Sequence, residues 1–301
     1  MNKICSSMLV TFFILLTSLW PSAAGWTDEI LPALPEDNLY YPVIIQISNG
    51  ETRIGIGSGF FLNTDKFSYF VTAKHILYTK QGALNGNLAV LRTYTSDSSA
   101  DQFMINLQQS EKNHLIILHP TEDLALIKLG WLTKDGDQTR IRYYQDVGIS
   151  GNSNRAIIAV EAQHLKRLED VHVGNDVFIF GYPASLQNPA LGIDFTKPIL
   201  RKGVVAGKDA KSNKIILDAP VYFGNSGGLV IEAGYNVANP LQREFRPIGI
   251  VLEMVPFLNE FKNQEYGYSN YEVENSGYSI ALSMDALIDL VNHEESASSS
   301  P

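Results

Sequence analysis

Short apolar runs dominate the pattern of hydrophobic and polar positions along the chain. They are rich in Val, Ile, Phe, Tyr and Thr and are separated by Asn-Gly, Asp-Gly and Ser-Asp turns, which is the pattern of β-strands. A first series of predicted strands covers Tyr41–Ser48, Arg53–Leu62, Ser68–Thr72, Asn87–Thr93, His114–Leu118 and Leu124–Leu129. A second series covers Ala156–Val160, Asp176–Phe180, Gly203–Val205, Lys214–Leu217, Leu229–Glu232, Pro247–Leu252 and Tyr278–Leu282. Two packed β units with a cleft between them fit this pattern.

One segment, Ser283–Val291, has a helical period, because its apolar residues fall on one face. Between the two strand series lies a polar, glycine-containing stretch that reads as a connection, and the chain ends in a serine-rich segment. We therefore predict a first β unit at residues 25–135, a connection at 136–155, a second β unit with a C-terminal helix at 156–292, and a disordered tail at 293–301.

The first 24 residues have the pattern of a secretory signal peptide. Lys3 precedes the 13-residue apolar run Met8–Trp20, and small residues up to Ala24 provide a cleavage site. An uncleaved anchor is the alternative, but spanning a bilayer takes about 20 apolar residues, and Pro21 closes the run earlier. We expect a secreted or periplasmic protein with no stable membrane insertion after signal removal. The single cysteine, Cys5, lies in this leader, so disulfides would not hold the exported fold together.

Composition and charge exclude several classes of protein. With 45% apolar residues the chain is neither disordered nor fibrous, and one cysteine excludes a disulfide scaffold. Lys and Arg number 23 against 32 Asp and Glu, a net charge of -9, which would repel a nucleic-acid backbone.

Candidate chemistry is most visible at the glycine-rich segment Tyr222–Gly228, which contains Gly224-Asn225-Ser226-Gly227-Gly228. A serine hydroxyl is a weak nucleophile that needs a neighbouring base, and acyl transfer needs backbone N–H donors around the developing oxyanion. Glycines beside the serine permit such a backbone and leave room for substrate. By itself the segment is equally consistent with a structural turn.

Two further residues occur where a base and its orienting carboxylate would be needed. His75 follows the apolar strand Tyr69–Thr72, and Asp123 precedes the strand Leu124–Leu129. An imidazole can take the serine proton when a carboxylate fixes its tautomer and stabilises the imidazolium. Each residue alone could be a polar residue at a strand end, but their joint occurrence in the order His, Asp, Ser favours catalysis.

These motifs resemble those of trypsin-like, chymotrypsin-fold serine peptidases, and in particular the bacterial HtrA-type core. The resemblance runs from about residue 41 to residue 292, with interruptions by insertions. The segments that carry it are Gly57-Ser58-Gly59-Phe60, Thr72-Ala73-Lys74-His75, Asp123-Leu124-Ala125, Gly181-Tyr182-Pro183, Asp218-Ala219, Gly224-Asn225-Ser226-Gly227-Gly228, Gly249-Ile250 and Gly277-Tyr278-Ser279-Ile280-Ala281.

The resemblance implies a serine endopeptidase with a peptide or protein substrate, and no metal or other cofactor. His75 would be the general base and then acid, Asp123 would orient it, Ser226 would be the nucleophile, and the N–H groups of Gly224 and Ser226 would form the oxyanion hole. It also implies two six-stranded antiparallel β-barrels, and it leaves the oligomeric state open. The substrate-binding residues that it implies are Pro220, Leu252, Glu253 and Ser279. Pro220 would lie at the base of the specificity pocket, where a carboxylate would be needed to bind a substrate Arg or Lys. We therefore expect a small or apolar residue before the scissile bond, although a Glu253 side chain that points into the pocket would favour basic peptides.

Three departures from the family pattern matter. Asn225 stands where many digestive relatives carry an Asp that pairs with a newly cut N-terminus, which argues against activation by trimming. Ten residues follow Val291, so we expect a peptidase domain without PDZ modules. The stretch Pro256–Ser276 is an aromatic- and glutamate-rich insertion, either a solvated surface loop or a lid or exosite.

Two other functions stay open at this point. The Gly-x-Ser-x-Gly pattern at Ser226 also occurs in esterases of the α/β-hydrolase type, but these need a histidine after the serine, and here only His293 qualifies. The second alternative is a latent or non-catalytic peptide-binding module on a trypsin-like scaffold. The histidines other than His75 lack metal-ligand spacing.

Overall fold

The computed structural model describes residues 36–94, 102–135, 138–150, 158–187, 189–194, 197–235 and 243–297. The predicted signal peptide at 1–24 lies outside these residues. Contacts divide the chain into residues 1–38 and residues 39–301, and the sheets and α-helices below belong to the second unit. No described helix is both long and apolar enough to cross a membrane.

A large antiparallel sheet occupies the first half of residues 39–301. Its strand order is β6-β7-β3-β2-β1-β4-β5-β9, with β8 paired to β7 and β10 paired in parallel to β2. The strands are β1 (Pro42–Asn49), β2 (Thr52–Asn63), β3 (Phe67–Thr72), β4 (Leu88–Thr93), β5 (Gln102–Asn106), β6 (Ile116–Leu118), β7 (Ala125–Asp135), β8 (Gln138–Tyr143), β9 (Val147–Ser150) and β10 (Val160–Glu161). Two short helices interrupt it, α1 (Lys74–Leu77) and α2 (Leu107–Lys112).

The second half is a closed six-stranded antiparallel barrel in the order β11-β12-β13-β16-β15-β14. Its strands are β11 (Asp176–Gly181), β12 (Ile199–Asp209), β13 (Lys214–Asp218), β14 (Leu229–Tyr235), β15 (Arg243–Asn263) and β16 (Tyr268–Ser283), and the helix α3 (Met284–Ala297) follows. Single turns of 3-10 helix occur at Glu36–Tyr40, Ala162–His164, Leu168–Asp170, Ala184–Gln187 and Pro189–Leu191.

Each half has its own apolar core, as alternating inward positions require. The first core includes Val43, Ile45, Phe61, Phe70, Leu91, Phe103 and Ile127. The second includes Val177, Ile179, Val205, Ile215, Leu217, Val230, Ile248 and Val251. The prediction of an all-β protein with two β units and a C-terminal helix is confirmed.

The structure differs from the sequence prediction in strand number and in the extent of α3. The first half has ten strands rather than six, and β8 and β9 lie inside the stretch 136–155 that was expected to be a connection. Their apolar residues are few, so the alternation is short and weak. The helix α3 continues past Val291 into the expected tail, because Glu294 binds Lys128 at 2.8 Å and Glu295 accepts a hydrogen bond from Thr64 at 2.5 Å.

Candidate active site

Strand pairing brings His75 and Asp123 to one edge of the first sheet. Thr72, the last residue of β3, pairs with Ala125, the first residue of β7. His75 lies in α1, three residues after that pair, and Asp123 lies two residues before it. Because antiparallel neighbours place the end of one strand beside the start of the next, the two side chains meet.

The Asp123 carboxylate binds His75 through both of its oxygens. Oδ1 accepts the His75 backbone N–H at 2.9 Å, and Oδ2 lies 2.6 Å from His75 Nδ1. Burial raises the pKa of Asp123, but the hydrogen bonds and charge of His75, with Lys74, outweigh burial and leave the pKa below its ordinary value. The carboxylate is therefore held ionised against the imidazole, with Nδ1 as the hydrogen-bonded nitrogen.

The loop that carries Asp123 is fixed by the imidazole of His119. Its Nδ1 accepts the backbone N–H groups of Thr121 at 3.3 Å and Glu122 at 2.9 Å, while Lys74 Nζ donates to the His119 carbonyl at 3.1 Å. Burial lowers the pKa of His119, and the nearby cations Lys74 and Lys214 lower it further against the opposing effect of Glu122 and Asp289. The neutral ring thus keeps the acceptor that the loop needs.

Ser226 lies in the loop between β13 and β14, and this loop is bonded to both halves. The Ser58 N–H donates to the Ser226 carbonyl at 2.9 Å, and the Gly227 N–H donates to the Val251 carbonyl at 2.7 Å. The Ser226 hydroxyl donates to the Leu252 carbonyl at 3.0 Å. Within the described residues it makes no hydrogen bond to His75.

Two peptide planes of this loop are oriented by their carbonyl groups. The Phe223 carbonyl accepts the Ala184 N–H at 2.7 Å, and the Asn225 carbonyl accepts the Gly228 N–H at 2.8 Å. In a trans peptide the C=O and N–H point in opposite directions, so the N–H groups of Gly224 and Ser226 are turned away from those partners. Neither donates a hydrogen bond to another atom in the described part of the chain, as expected for donors that await an oxyanion.

Ser58 and Gly224 fix the position of the loop that carries Ser226. The Ser58 hydroxyl accepts the Tyr182 N–H at 3.0 Å and donates to the Gly224 carbonyl at 2.7 Å. Gly224 has a φ of +94°, and a Cβ at this position would overlap the Tyr182 carbonyl. Only glycine combines this backbone conformation with so close an approach.

Asn225 is buried and stabilises its own loop. Its Oδ1 accepts the Tyr222 N–H at 3.1 Å, and its side chain is almost fully enclosed. A neutral amide fits this enclosed position better than a carboxylate without a cationic partner.

The four predicted substrate-binding residues occupy different environments. Leu252 is buried, while the next residue, Glu253, is exposed, and the register of β15 against β16 shifts between Val251 and Glu253. Pro220 is half-buried beside the nucleophile loop. Ser279 is fully buried beside its strand neighbours Leu217 and Met254, and its hydroxyl has no hydrogen-bond partner among the described residues.

The remaining chemistry-bearing residues do not converge. His114, His164, His172 and His293 are exposed. Within the described ranges no group of three or more His, Cys, Asp and Glu side chains could hold a metal ion. The strand β14 begins at Leu229, directly after Gly228, in an all-β fold, which excludes the α/β-hydrolase alternative because that fold places a helix after its nucleophile.

Three residues without a predicted role support the site. Ser58 bridges the halves, Ala184 orients the Phe223–Gly224 peptide, and Asn85 Nδ2 donates to the carbonyls of His75 at 2.9 Å and Ile76 at 3.0 Å. Ser58 and the turn before Ala184 belong to motifs visible in the sequence, but their partners are distant along the chain. Asn85 carries no sequence signal beyond its Asn-Gly turn.

The sequence matches a known domain family. The model of the trypsin-like peptidase domain matches residues 57–238, more than half of the chain. No curated protein matches the chain in sequence.

Solved structures with similar folds are serine proteases. The thermostable serine protease AL20 from an extremophilic microorganism is 11% identical, with 86% of this chain and 98% of that chain covered and a TM-score of 0.50. A serine endoprotease from Yersinia pestis is 16% identical over 87% of this chain and 67% of that chain, with a TM-score of 0.45. An HtrA-type protease solved with a decapeptide is 13% identical over 85% and 65% of the two chains, with a TM-score of 0.43. At these identities the AL20 structure supports the fold alone, and the domain match establishes the relationship: the chain belongs to the trypsin-like peptidase family.

Proposed function

We propose that the protein is a serine endopeptidase that hydrolyses peptide bonds through an acyl-enzyme on Ser226. The observation that carries the proposal is the double contact of Asp123 with His75, at 2.9 Å to the backbone N–H and 2.6 Å to Nδ1. With Nδ1 engaged, Nε2 is the nitrogen left to exchange a proton with the nucleophile. Neutral histidine and ionised aspartate are the protonation states that this chemistry requires.

The reaction follows from this arrangement. His75 Nε2 takes the Ser226 hydroxyl proton as Oγ attacks the scissile carbonyl carbon, and the carbonyl oxygen becomes an oxyanion that accepts the N–H groups of Gly224 and Ser226. The C–N bond then breaks as the imidazolium returns the proton to the departing amine. Water, deprotonated by the same nitrogen, hydrolyses the ester and restores Ser226. One oxyanion donor typically contributes about 3 kcal/mol to such a transition state.

A latent enzyme is the second candidate, and one contact favours it. The Ser226 hydroxyl donates to the Leu252 carbonyl at 3.0 Å instead of to His75. In a latent enzyme this hydrogen bond would have to break before the hydroxyl could donate to His75, and hydrogen bonds of catalytic groups often tighten only when substrate binds. In this case occupancy of the cleft would switch the serine to its reactive position.

Treatment of the folded protein with a small phosphonylating reagent, followed by mass mapping, tests both candidates. We expect a stoichiometric adduct on the peptide that contains Ser226, and no adduct in Ser226→Ala or His75→Ala. A labelling rate that rises when a non-hydrolysable peptide is added would favour latency. Absence of an adduct under both conditions would contradict the endopeptidase and favour a binding module.

The substrate side of the site supports a small or apolar residue before the cut. Pro220 and the buried Ser279 would line a pocket that contains no carboxylate, while the exposed Glu253 would lie outside it.

We further propose that the protein is exported through residues 1–24. Mass analysis of the mature N-terminus would check cleavage after Ala24.

A further inference from the structure

The insertion at Pro256–Ser276 forms a two-stranded ribbon that extends β15 and β16 beyond the barrel. Eight residue pairs, from Pro256 with Asn275 to Asn263 with Tyr268, hold it together. At the tip, Asn263 Oδ1 accepts the N–H groups of Glu265 at 3.0 Å and Tyr266 at 2.9 Å. We call residues 256–263 and 268–275, with their turn, the acidic ribbon. It extends for about 25 Å at the usual rise per strand residue.

The acidic ribbon is continuous with the candidate active site. Its strand β15 passes Val251, which bonds to Gly227 and Gly228, and Leu252, which accepts the Ser226 hydroxyl. At its base, Asn275 Nδ2 donates to the Val221 carbonyl at 2.7 Å, next to the nucleophile loop. Beyond Leu252 no described strand pairs with β15 on the edge opposite β16.

One face of the acidic ribbon combines aromatic rings with uncompensated acidic groups. Direct pairing and alternation place Phe257, Phe261, Tyr268, Glu272 and Glu274 on the same face. All three rings are more than half exposed. Among the described residues no ion pair involves either glutamate, although Asn259 Nδ2 donates to Glu274 at 2.9 Å.

The opposite face is less suited to bind a cation. Glu260 there accepts the Tyr271 hydroxyl at 3.0 Å and pairs with Lys262 at 3.0 Å, so its charge is already compensated. That face also carries Asn275, which attaches it to the barrel at Val221. Both faces are exposed, so the uncompensated charges of Glu272 and Glu274 are what favour the Phe257 face for a cationic partner.

We propose that the Phe257 face of the acidic ribbon is a docking surface for an extended, cationic and apolar segment of the substrate polypeptide, outside the residues at the scissile bond. This inference rests on the proposed function for its identification of the partner as substrate. Exposed aromatic rings beside carboxylates suit a segment that alternates apolar residues with Lys or Arg, and the unpaired edge of β15 offers main-chain hydrogen bonds to it. The 256–276 segment as a whole has four glutamates and one lysine, which matches such a partner in charge.

Binding is measured with the full-length Ser226→Ala protein and a fluorescent peptide long enough to reach from the cleft to the tip of the ribbon. The peptide carries alternating Lys and Leu, and a counterpart of equal length carries Glu and Leu. We expect the Lys peptide to bind at least about 10-fold more tightly, because complementary charges favour it. Replacing Phe257 and Phe261 together by Ser should weaken its binding about 10-fold or more, since aromatic anchors dominate such contacts.

Two further pairs of substitutions in the Ser226→Ala protein test whether binding depends on the glutamate charges and on the Phe257 face. Glu272→Gln with Glu274→Gln should weaken the Lys peptide several-fold and flatten its salt dependence. Leu258→Ser with Val273→Ser, on the opposite face, is the matched control and should leave binding within about 2-fold. Equal binding of the two peptides, or a control effect as large as that of the Phe257 and Phe261 pair, would overturn the proposal.

Other occupants and the proposed function are distinguished by separate readouts. A change in sedimentation of the Phe257 and Phe261 variant would indicate a second copy of the chain, and loss of binding to phosphatidylcholine vesicles would indicate a membrane surface. Either result without a loss of peptide binding overturns the proposal. Phosphonate labelling of Ser226 in a catalytically intact ribbon variant should equal that of the native chain. Labelling without peptide binding refutes the docking surface alone, while peptide binding without labelling refutes the endopeptidase alone.

Discussion

The Ser58 hydroxyl lies between the Gly224 carbonyl and the Tyr182 N–H, at 2.7 Å and 3.0 Å. A side chain of the first sheet therefore fixes the peptide that follows the oxyanion donor of Gly224, and it does so from a fully buried position. Ser58 acts as a positioning residue in the proposed mechanism, since it reaches the reacting atoms only through the backbone.

Replacing Ser58 by Ala should lower kcat about 10-fold, with a smaller effect on KM, because the Gly224 peptide loses its anchor and an oxyanion donor moves. The variant should also lose about 1–2 kcal/mol of stability, since the Tyr182 N–H is left unpaired. Steady-state kinetics on a peptide substrate and urea unfolding measure both effects.

Ser68→Ala is the matched control for this substitution. Ser68 is equally buried, in β3, but its hydroxyl has no hydrogen-bond partner within the described residues. Its kcat should stay within about 2-fold of the native value, as for substitutions away from a functional contact. A Ser58→Ala variant with native kcat and reduced stability would show that the hydroxyl serves the fold alone.

Replacing Gly224 by Ala should lower kcat by about 100-fold or more, because the strained φ and the overlap with the Tyr182 carbonyl displace the N–H from the oxyanion site. Gly82→Ala is the control, since Gly82 has a similar φ of +82° with no atom within 4 Å of a Cβ. In both variants the left-handed conformation costs about 1–2 kcal/mol of stability. Equal losses of kcat in the two variants would therefore contradict the assignment of the Gly224 N–H as an oxyanion donor. Kinetics and thermal unfolding of the two variants provide the comparison.

The sequence predicts the three residues of the proposed triad because the immediate sequence neighbours of each residue indicate its role. His75 directly follows an apolar strand, Asp123 directly precedes one, and Ser226 lies among glycines. The supports of these residues are long-range contacts, and a single sequence does not reveal which residues meet. Ser58 and Gly224 are 166 positions apart, and the Ala184 N–H that orients the Phe223 peptide has no side-chain signal at all.

The acidic ribbon shows a second limit of pattern analysis. Alternation predicts a strand when one face is buried, but Phe257 and Leu258 lie on opposite faces of the ribbon and both are exposed. The apolar residues therefore follow one another without the period of a half-buried strand. The sequence consequently left this stretch open between a loop and a lid, whereas the structure has eight paired positions there.

Asp123→Asn should lower kcat about 10⁴-fold, as this substitution does when it changes the histidine tautomer in a Ser-His-Asp triad. It also tests the lowered pKa of Asp123. Because folding lowers this pKa, the carboxylate stabilises the folded state above its ordinary pKa of about 4, and this stabilisation is lost as pH falls through the lower folded-state pKa. The difference in unfolding free energy between the native chain and the variant should therefore be constant above about pH 5 and shrink below about pH 4. A pH-independent difference in urea unfolding would contradict this assignment.

The lowered pKa of His119 predicts that folding stability also depends on pH in a higher range than the one set by Asp123. Burial lowers its pKa, so as pH falls the unfolded chain takes up the proton first, near the ordinary value of about 6.5, and the folded state loses relative stability down to the lower folded-state pKa. His119→Asn keeps an acceptor for the Thr121 and Glu122 N–H groups but has no titrating ring, so its stability should change less than that of the native chain between about pH 7 and pH 5. Urea unfolding of the native chain and of His119→Asn across this range measures the two slopes. Because the same ring fixes the Asp123 loop, an unchanged slope in His119→Asn would mean that the neutral imidazole is not what holds this loop in place.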